Sequence, residues 1–437
     1  MKKTITLLAA LLFAGGIAMA NGTAEKGPEK AGKPVTLTFW YENAGPARTP
    51  YIQELIARFE KDNPDIKIEY SGFSNSDAKS KLDVAVASLQ TPDVSGLQLD
   101  WLTGSVTNGA LEPLDAYFNK WAEHADQNDK IISLLRSYDA KGGLYMLPNT
   151  TNFTPTYWIR SDWLKQKNMK VPQTWDEFFS VIQKMSDVKN GVYGYSIRGG
   201  AGAAEQLIDY LYGYSGIDKM FTADGQSTIN DPKNVEALTR LASIYNVYTP
   251  QSDITNAYKE MVAAFDSGTV AMIQHNLGSY SEHSKALGED QFEAFAPPAG
   301  ASGKRIVSSM PTGFCIYKNS KHKDAAFRFI SYLCSKDAQS YFNQKIGQMP
   351  VNTKVINEPW LTQAQRIKVA LTAMSDKNTA LIVKPQYLPD YSTISNQQAT
   401  PDFQAVLAGK MTPKVMLDRW AQTLTSARKE YMKYIKK

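Results

Sequence analysis

Residues 35–70 of this 437-residue chain read VTLTFWYENAGPARTPYIQELIARFEKDNPDIKIEY, and they indicate the fold. Residues 35–39 and 66–70 each alternate apolar with polar side chains, a pattern typical of β-strands. Between them, apolar residues recur at helical spacing and predict a helix that Asn63-Pro64 ends. The stretch therefore predicts a β-α-β unit, whose right-handed connection joins two parallel strands.

Strand and helix patterns keep alternating towards the C-terminus. Residues 94–99 predict a short buried strand, and Thr174-Trp175-Asp176-Glu177 is a capping box that starts a helix. Thr412-Pro413 supplies an N-cap and a first-turn proline for a long last helix. Trp175 and Trp420 lie on these predicted helices, and we expect both in the core. Strands alternating with helices over the whole chain predict an α/β class.

The N-terminus has the pattern of a secretory signal. Residues 1–20 read MKKTITLLAALLFAGGIAMA, with Lys2 and Lys3 before an apolar run and a small-x-small site at Ala18-Met19-Ala20. The run is shorter than the about 20 apolar residues of a membrane span, which favours cleavage over an anchor. No cysteine follows it to carry a lipid. We therefore expect a soluble periplasmic or other extracytoplasmic protein, with residues 21–34 as a disordered leader.

Length and composition limit the classes of protein. Removing 20 residues from 437 leaves a chain too long for one core, so we expect two lobes. The net charge of +5 carries no basic block before the C-terminal tail, which argues against nucleic acid as a partner. Cys315 and Cys334 lie in apolar surroundings and are expected as buried thiols, although export permits a disulfide. The four histidines lack metal-ligand spacing, so no metal or cofactor is expected.

Several segments, taken in order, resemble one known family. The first is the β-α-β unit above, and the second is ASLQTPDVSGLQLDWLTGSVTNGALEPLD at residues 87–115. The third, residues 142–178, ends in the specific pattern VPQTWDEF, and the fourth is FDSGTVAMIQHNLGSY at residues 265–280. This series resembles the extracellular (periplasmic) solute-binding proteins of ABC importers, the sugar-binding family that includes maltose-binding protein. The resemblance covers residue 35 to about residue 430.

The resemblance implies a periplasmic-binding-protein fold, with two α/β lobes and a hinge that closes around a ligand. It places residues 35–147 and 293–334 in the first lobe and residues 148–292 and 335–437 in the second. The implied function is binding of a mono- or oligosaccharide and its delivery to the membrane permease of an ABC transporter. The implied partners are therefore a carbohydrate and permease subunits, and we expect a monomer.

Candidate ligand contacts lie where strands end, because ligands favour the carboxyl edge of parallel strands. Sugars offer hydroxyls and apolar ring faces to amides, carboxylates, guanidinium groups and aromatic rings. Glu42 and Asn43 follow the first strand, and Asp100 and Trp101 follow a later one. The alternatives are loop polarity for the first pair, and an N-cap and a core aromatic for the second. The other candidates, in crossing segments, strand ends and late loops, are Asn152, Arg198, Asn276, Met310, Thr312 and Tyr387.

Three functions remain open at this point. A secreted glycosidase needs two carboxyl groups across the scissile bond, about 5–9.5 Å apart, and Glu42 and Asp100 could supply them. A binder of a non-sugar solute, such as a peptide or metal, could share the architecture. The sequence contains neither the Gly-x-Ser-x-Gly nucleophile motif nor the full phosphate loop, Gly-x-x-x-x-Gly-Lys followed by Ser or Thr. The order of the family-like segments favours a non-catalytic sugar binder, although fold alone does not decide function.

The cleavage pattern predicts that the exported protein begins at Asn21. N-terminal sequencing of protein recovered from outside the cytoplasm measures this directly. Recovery of a chain that still starts with Met1 would contradict the prediction.

Overall fold

The computed structural model describes residues 34–139, 141–388 and 390–435. The predicted signal peptide, and the predicted leader apart from Pro34, lie outside these residues. Helices and strands alternate along the described chain, as expected for an α/β protein. The strands are β1 (Val35–Tyr41), β2 (Ile66–Gly72), β3 (Val94–Gln98), β4 (Leu147–Thr150), β5 (Thr156–Arg160), β6 (Met272–His275), β7 (Phe292–Phe295), β8 (Arg305–Val307), β9 (Thr312–Ile316) and β10 (Thr379–Leu381).

The helices vary widely in length. They are α1 (Thr49–Asp62), α2 (Asn75–Ala87), α3 (Leu99–Thr107), α4 (Asp115–Phe118), α5 (Asp129–Arg136), α6 (Ser161–Gln166), α7 (Trp175–Met185), α8 (Ala203–Ser215), α9 (Pro232–Ile244), α10 (Tyr258–Asp266), α11 (Tyr280–Leu287), α12 (Lys323–Leu333), α13 (Lys336–Ile346), α14 (Gln365–Ser375), α15 (Tyr391–Ile394), α16 (Thr400–Leu407) and α17 (Pro413–Ile435). In the part of the chain that the structure describes, no helix has the length and apolarity needed to cross a membrane.

The first sheet has five strands in the order β2-β1-β3-β9-β4. β1 pairs in parallel with β2 and β3, whereas β9 runs antiparallel to both β3 and β4. Helix α1 buries the apolar face that its sequence predicted, and its Phe59 lies 5.0 Å from Phe329 of α12, centroid to centroid. Phe329 in turn meets Phe39 of β1 edge-on at 5.2 Å. The predicted β-α-β unit is therefore the foundation of the first core.

The second sheet has three antiparallel strands in the order β6-β5-β7. Helix α7 packs near it and begins with the predicted capping box, since Glu177 N–H donates to the Thr174 hydroxyl at 3.1 Å. Trp175 is buried and its indole N–H donates to the Gly213 carbonyl at 3.2 Å. Trp420 of α17 is fully buried in the same core. Both tryptophans are thus core residues, as predicted.

The two cysteines are free and buried, in agreement with the favoured interpretation. The Cys315 sulfur lies 3.3 Å from the Ser95 hydroxyl, and the Cys334 sulfur lies 3.5 Å from the Leu147 carbonyl oxygen. Burial raises the pKa of the Cys315 thiol to about 11, so the unreactive thiol form prevails at neutral pH.

The strand pairing and the helix packing do not follow the lobe boundaries predicted at residues 293 and 335. β7 pairs with β5, so residues 292–295 belong to the second sheet. Helices α13 and α14 bury Phe342 and Ile367 in the same cluster as Phe39, which is the first core. We therefore propose that the chain passes between lobes at three crossing segments, residues 151–155, 308–311 and 382–388.

Candidate ligand-binding site

Hydrogen bonds join the first two crossing segments to each other and the third segment to the end of β8. Thr154 and Ser308 form an antiparallel bridge, with N–H to carbonyl distances of 3.0 and 2.7 Å. The hydroxyls of Thr151 and Ser309 are hydrogen-bonded to each other. In the third segment, the Ile382 N–H donates to the Val307 carbonyl at 2.9 Å. The junction between the lobes is therefore an ordered, paired structure and not three independent linkers.

Two predicted contacts meet at this junction. The Asn152 side-chain oxygen accepts a 2.8 Å hydrogen bond from the Met310 N–H, and the Asn152 carbonyl accepts one from the Ser309 hydroxyl, also 2.8 Å. Asn152 thus joins the first crossing segment to the second. Thr312, two residues after Met310, is half-buried and pairs with both Gln98 and Thr150.

A charged cluster that the sequence reasoning missed lies beside Met310. Gln386 donates to the Glu205 carboxylate at 3.4 Å and approaches the Met310 sulfur at 3.9 Å. Lys384 forms a buried ion pair with Asp209 at 2.8 Å and lies 3.8 Å from Glu205. Glu205 and Asp209 are four residues apart, so they share a face of α8. That spacing is the only feature of the sequence that could have indicated this cluster, because Lys384 lies 175 residues after Asp209.

Glu42 is buried at the carboxyl end of β1, where the strand-end argument placed it. Its side chain lies against Gly96 of β3, and a Cβ at that position would overlap the carboxylate. Its Oε2 is buried without a hydrogen-bond partner in the described structure. Burial raises the pKa of the Glu42 carboxyl to about 7. Asn43, the next residue, is half-buried in the turn that follows.

Asp100 and Trp101 follow β3 in the first turn of α3, but they lie in different surroundings. Asp100 is exposed, and partial desolvation raises the pKa of its carboxyl above the ordinary value. Trp101 is only 8% exposed and belongs to the first core. Trp101 therefore fits the alternative of a core aromatic residue better than it fits an exposed ring on which a sugar could stack.

The second lobe brings Arg198 close to a residue that sequence reasoning left out. Arg198 is half-buried, and its Nε donates to the Ala201 carbonyl at 2.6 Å. His275, at the end of β6, is 4% exposed and neither ring nitrogen has a hydrogen-bond partner. Asn276 next to it accepts the Gly278 N–H at 2.8 Å, which makes its side-chain oxygen a local cap.

Tyr387 does not join the Asn152–Met310 junction. Its ring lies 6.1 Å from Tyr138 and 5.1 Å from Tyr431, and the Arg428 guanidinium lies 5.0 Å above it. These residues line a separate cavity of about 430 Å³, to which both lobes contribute. Tyr387 thus lies at this cavity between the lobes, apart from the contacts of Asn152 with Met310.

The arrangement suits hydrogen bonding to a polar solute. Amide, carboxylate and ammonium groups meet at the paired crossing segments. The described residues contain no cluster of His, Cys, Asp and Glu that could hold a metal. Residues 54–369 match the sequence pattern of the family described as bacterial extracellular solute-binding protein, which is more than two thirds of the chain. This chain belongs to that family. The resemblance found in the sequence is confirmed.

The chain is also similar to individual solute-binding proteins. It is 25% identical to the mannitol-binding protein of Pseudomonas aeruginosa over 390 residues, which covers 83% of this chain and 86% of that one. It is 24% identical to the multiple sugar-binding protein of Streptococcus mutans, covering 74% and 76%. The solved structure of the sugar-binding protein MalE from Xanthomonas citri is similar with a TM-score of 0.75 and 21% identity, covering 91% and 98%. The two-lobed periplasmic-binding-protein fold is thereby confirmed.

The buried Glu42 predicts a pH dependence of stability. Its pKa of about 7 exceeds the ordinary 4.5, so the folded protein holds a proton that the unfolded chain releases between these values. The free energy of unfolding should therefore fall as pH rises from 4.5 to 7, with this contribution lost above 7. Glu42→Gln should remove the contribution and stabilise the protein at pH 8 by about 1–3 kcal/mol.

Denaturant unfolding of both proteins at pH 5 and pH 8 measures this effect. Glu69→Gln, which replaces an exposed carboxylate on β2, is the matched control and should keep the wild-type pH dependence. Equal pH dependence in wild type and Glu42→Gln would show that Glu42 is not the group responsible.

Proposed function

We propose that this solute-binding protein binds a carbohydrate between its lobes and delivers it to the membrane permease of an ABC importer. The observation that carries the proposal is the chain of polar contacts from Asn152 through Met310 and Gln386 to Glu205. It joins all three crossing segments to α8 of the second lobe, so a ligand there would lie at the junction between the lobes. Relatives named for mannitol and sugar binding support the same solute class.

The proposed contacts match the chemistry of a sugar. Hydroxyl groups both donate and accept hydrogen bonds, and they pair well with amides and carboxylates. The exposed carboxylate of Asp100 and the amide of Asn152 are such groups. The proposed ligand contacts are Glu42, Asn43, Asp100, Asn152, Arg198, Met310 and Thr312, with Glu205, Lys384 and Gln386 added from the structure.

We propose a binding role without catalysis. A glycosidase would need two carboxyl groups facing one bond. Of the two candidate carboxyls, Glu42 is buried against Gly96 whereas Asp100 is exposed, so they do not share one environment. The proposal also includes a cleaved signal, a location outside the cytoplasm without a lipid anchor, and a monomeric state.

The proposal predicts that a bound sugar stabilises the protein and closes the lobes. A thermal-shift screen over mono- and oligosaccharides identifies the sugar, since a ligand at 100 times Kd adds about 2.7 kcal/mol. Small-angle scattering with that sugar should then show a smaller radius of gyration than without it. Failure of every saccharide to raise the melting temperature would refute carbohydrate binding, and an unchanged scattering profile would refute closure.

Loss of the Asp100 carboxylate should weaken binding of the identified sugar at least about tenfold, because charged hydrogen bonds contribute roughly 1.5–3 kcal/mol. Calorimetry on Asp100→Ala measures this change. Asp337→Ala, whose side chain is 95% exposed, controls for the loss of a surface carboxylate. Unaltered affinity in a folded Asp100→Ala protein would remove Asp100 from the site.

A further inference from the structure

Arg198 is held in a defined position at one end of the second lobe. Residues 193–197 make parallel bridges to the region of β6, and Arg198 follows their carboxyl end. The adjacent Gly202 has φ of +83°, and a Cβ there would lie 2.7 Å from the Arg198 Cζ. Nε is bonded to the Ala201 carbonyl. The loop therefore fixes one edge of the guanidinium and leaves its two terminal nitrogens available.

No carboxylate of the described chain neutralises this guanidinium within 4.0 Å. The nearby acids have donors of their own. Glu205 accepts from Gln386 at 3.4 Å, and Glu260 accepts from the backbone at the start of α10 at 3.1 Å. Arg198 is thus a half-buried cation without a direct ion pair, although the charges of Glu205 and Glu260 act on it from a longer distance. Such an arrangement usually costs free energy.

His275 supplies a second, independent feature. Its buried imidazole lies 4.2 Å from the Tyr258 ring, centroid to centroid, and both nitrogens lack partners. Burial lowers the pKa of His275 to about 3, and the positive charge of Arg198 is the second cause of this shift. The ring is therefore neutral at pH 7, with one unused donor and one unused acceptor. Buried polar groups are normally hydrogen-bonded, so these atoms point to a missing polar partner.

The start of α8 adds to the positive potential. This helix of 13 residues begins after Gly202, which has no side chain to cap the first N–H groups. A helix N-terminus carries a partial positive charge and free backbone donors, which favour anions. Arg198, His275 and the start of α8 are called the Arg198 cluster below.

We propose that the Arg198 cluster binds the carboxylate of an acidic saccharide, so that the ligand is a uronic acid or a uronate-containing oligosaccharide. This inference rests on the proposed function and names its substrate class. A guanidinium fork matches a planar carboxylate with two parallel hydrogen bonds. A neutral sugar would leave the half-buried charge of Arg198 without a direct ion pair, whereas a uronate supplies one.

The test is calorimetry on sugars matched except at C6. Glucuronate is compared with glucose, and galacturonate with galactose, each as mono-, di- and trisaccharide, at 20 and 300 mM NaCl. The acidic member should bind at least tenfold more tightly at low salt, with a smaller difference at high salt. Arg198→Gln should reduce the acid-to-neutral ratio of affinities to below threefold. Arg58→Gln, which removes an exposed arginine of α1, should keep the wild-type ratio.

Each outcome bears on a particular claim. Equal or tighter binding of the neutral sugar, an unchanged ratio in Arg198→Gln, or tighter binding of glucose 6-phosphate than of glucuronate would overturn the inference and leave carbohydrate binding intact. Failure of every saccharide to bind would refute both proposals. If thermal melting shows that Arg198→Gln is unfolded, the acid-to-neutral ratio of affinities of the wild-type protein alone decides.

Discussion

The antiparallel pairing of Thr154 with Ser308 is the contact on which the two-lobed architecture depends. A chain that passes between two cores must bring its backbone through their junction, and buried backbone groups need hydrogen-bond partners. Here the crossing segments satisfy one another, and Asn152 adds a side-chain bond from one segment to the next. The same pairing brings polar side chains from distant parts of the chain to one place. The structural requirement for crossing thus creates the setting for a ligand.

Polar groups at this junction differ in how fully they are satisfied. Lys384 and Asp209 neutralise each other, and Asp209 also accepts from the Ser308 hydroxyl at 2.9 Å. This buried network ties two crossing segments to α8. Glu42 and His275, by contrast, are buried with unpartnered atoms at the carboxyl ends of β1 and β6. Such unsatisfied groups cost free energy in the folded protein.

Local sequence patterns predicted the regular elements well and the long-range packing less well. The α1 stripe and the Thr174–Glu177 box depend on neighbours within a few residues, so period and capping chemistry reveal them. The placement of β7 beside β5 depends on a partner about 135 residues away, and the sequence boundary at residue 293 missed it. For Trp101 the sequence allows both a ligand contact and a core position, and the structure buries the ring in the first core.

The sequence by itself determined the α/β class, the family and the strand ends that carry polar residues, because periodicity and motif order are local properties of the chain. Only the tertiary structure decided which polar residues meet: Asn152 with Met310, Lys384 with Asp209, and Arg198 with His275. It also separated Tyr387 from the Asn152–Met310 junction by packing it against Tyr138 and Tyr431. The physical reason is that hydrogen bonds and ion pairs act over a few ångströms in space, and chain separation does not reveal that distance.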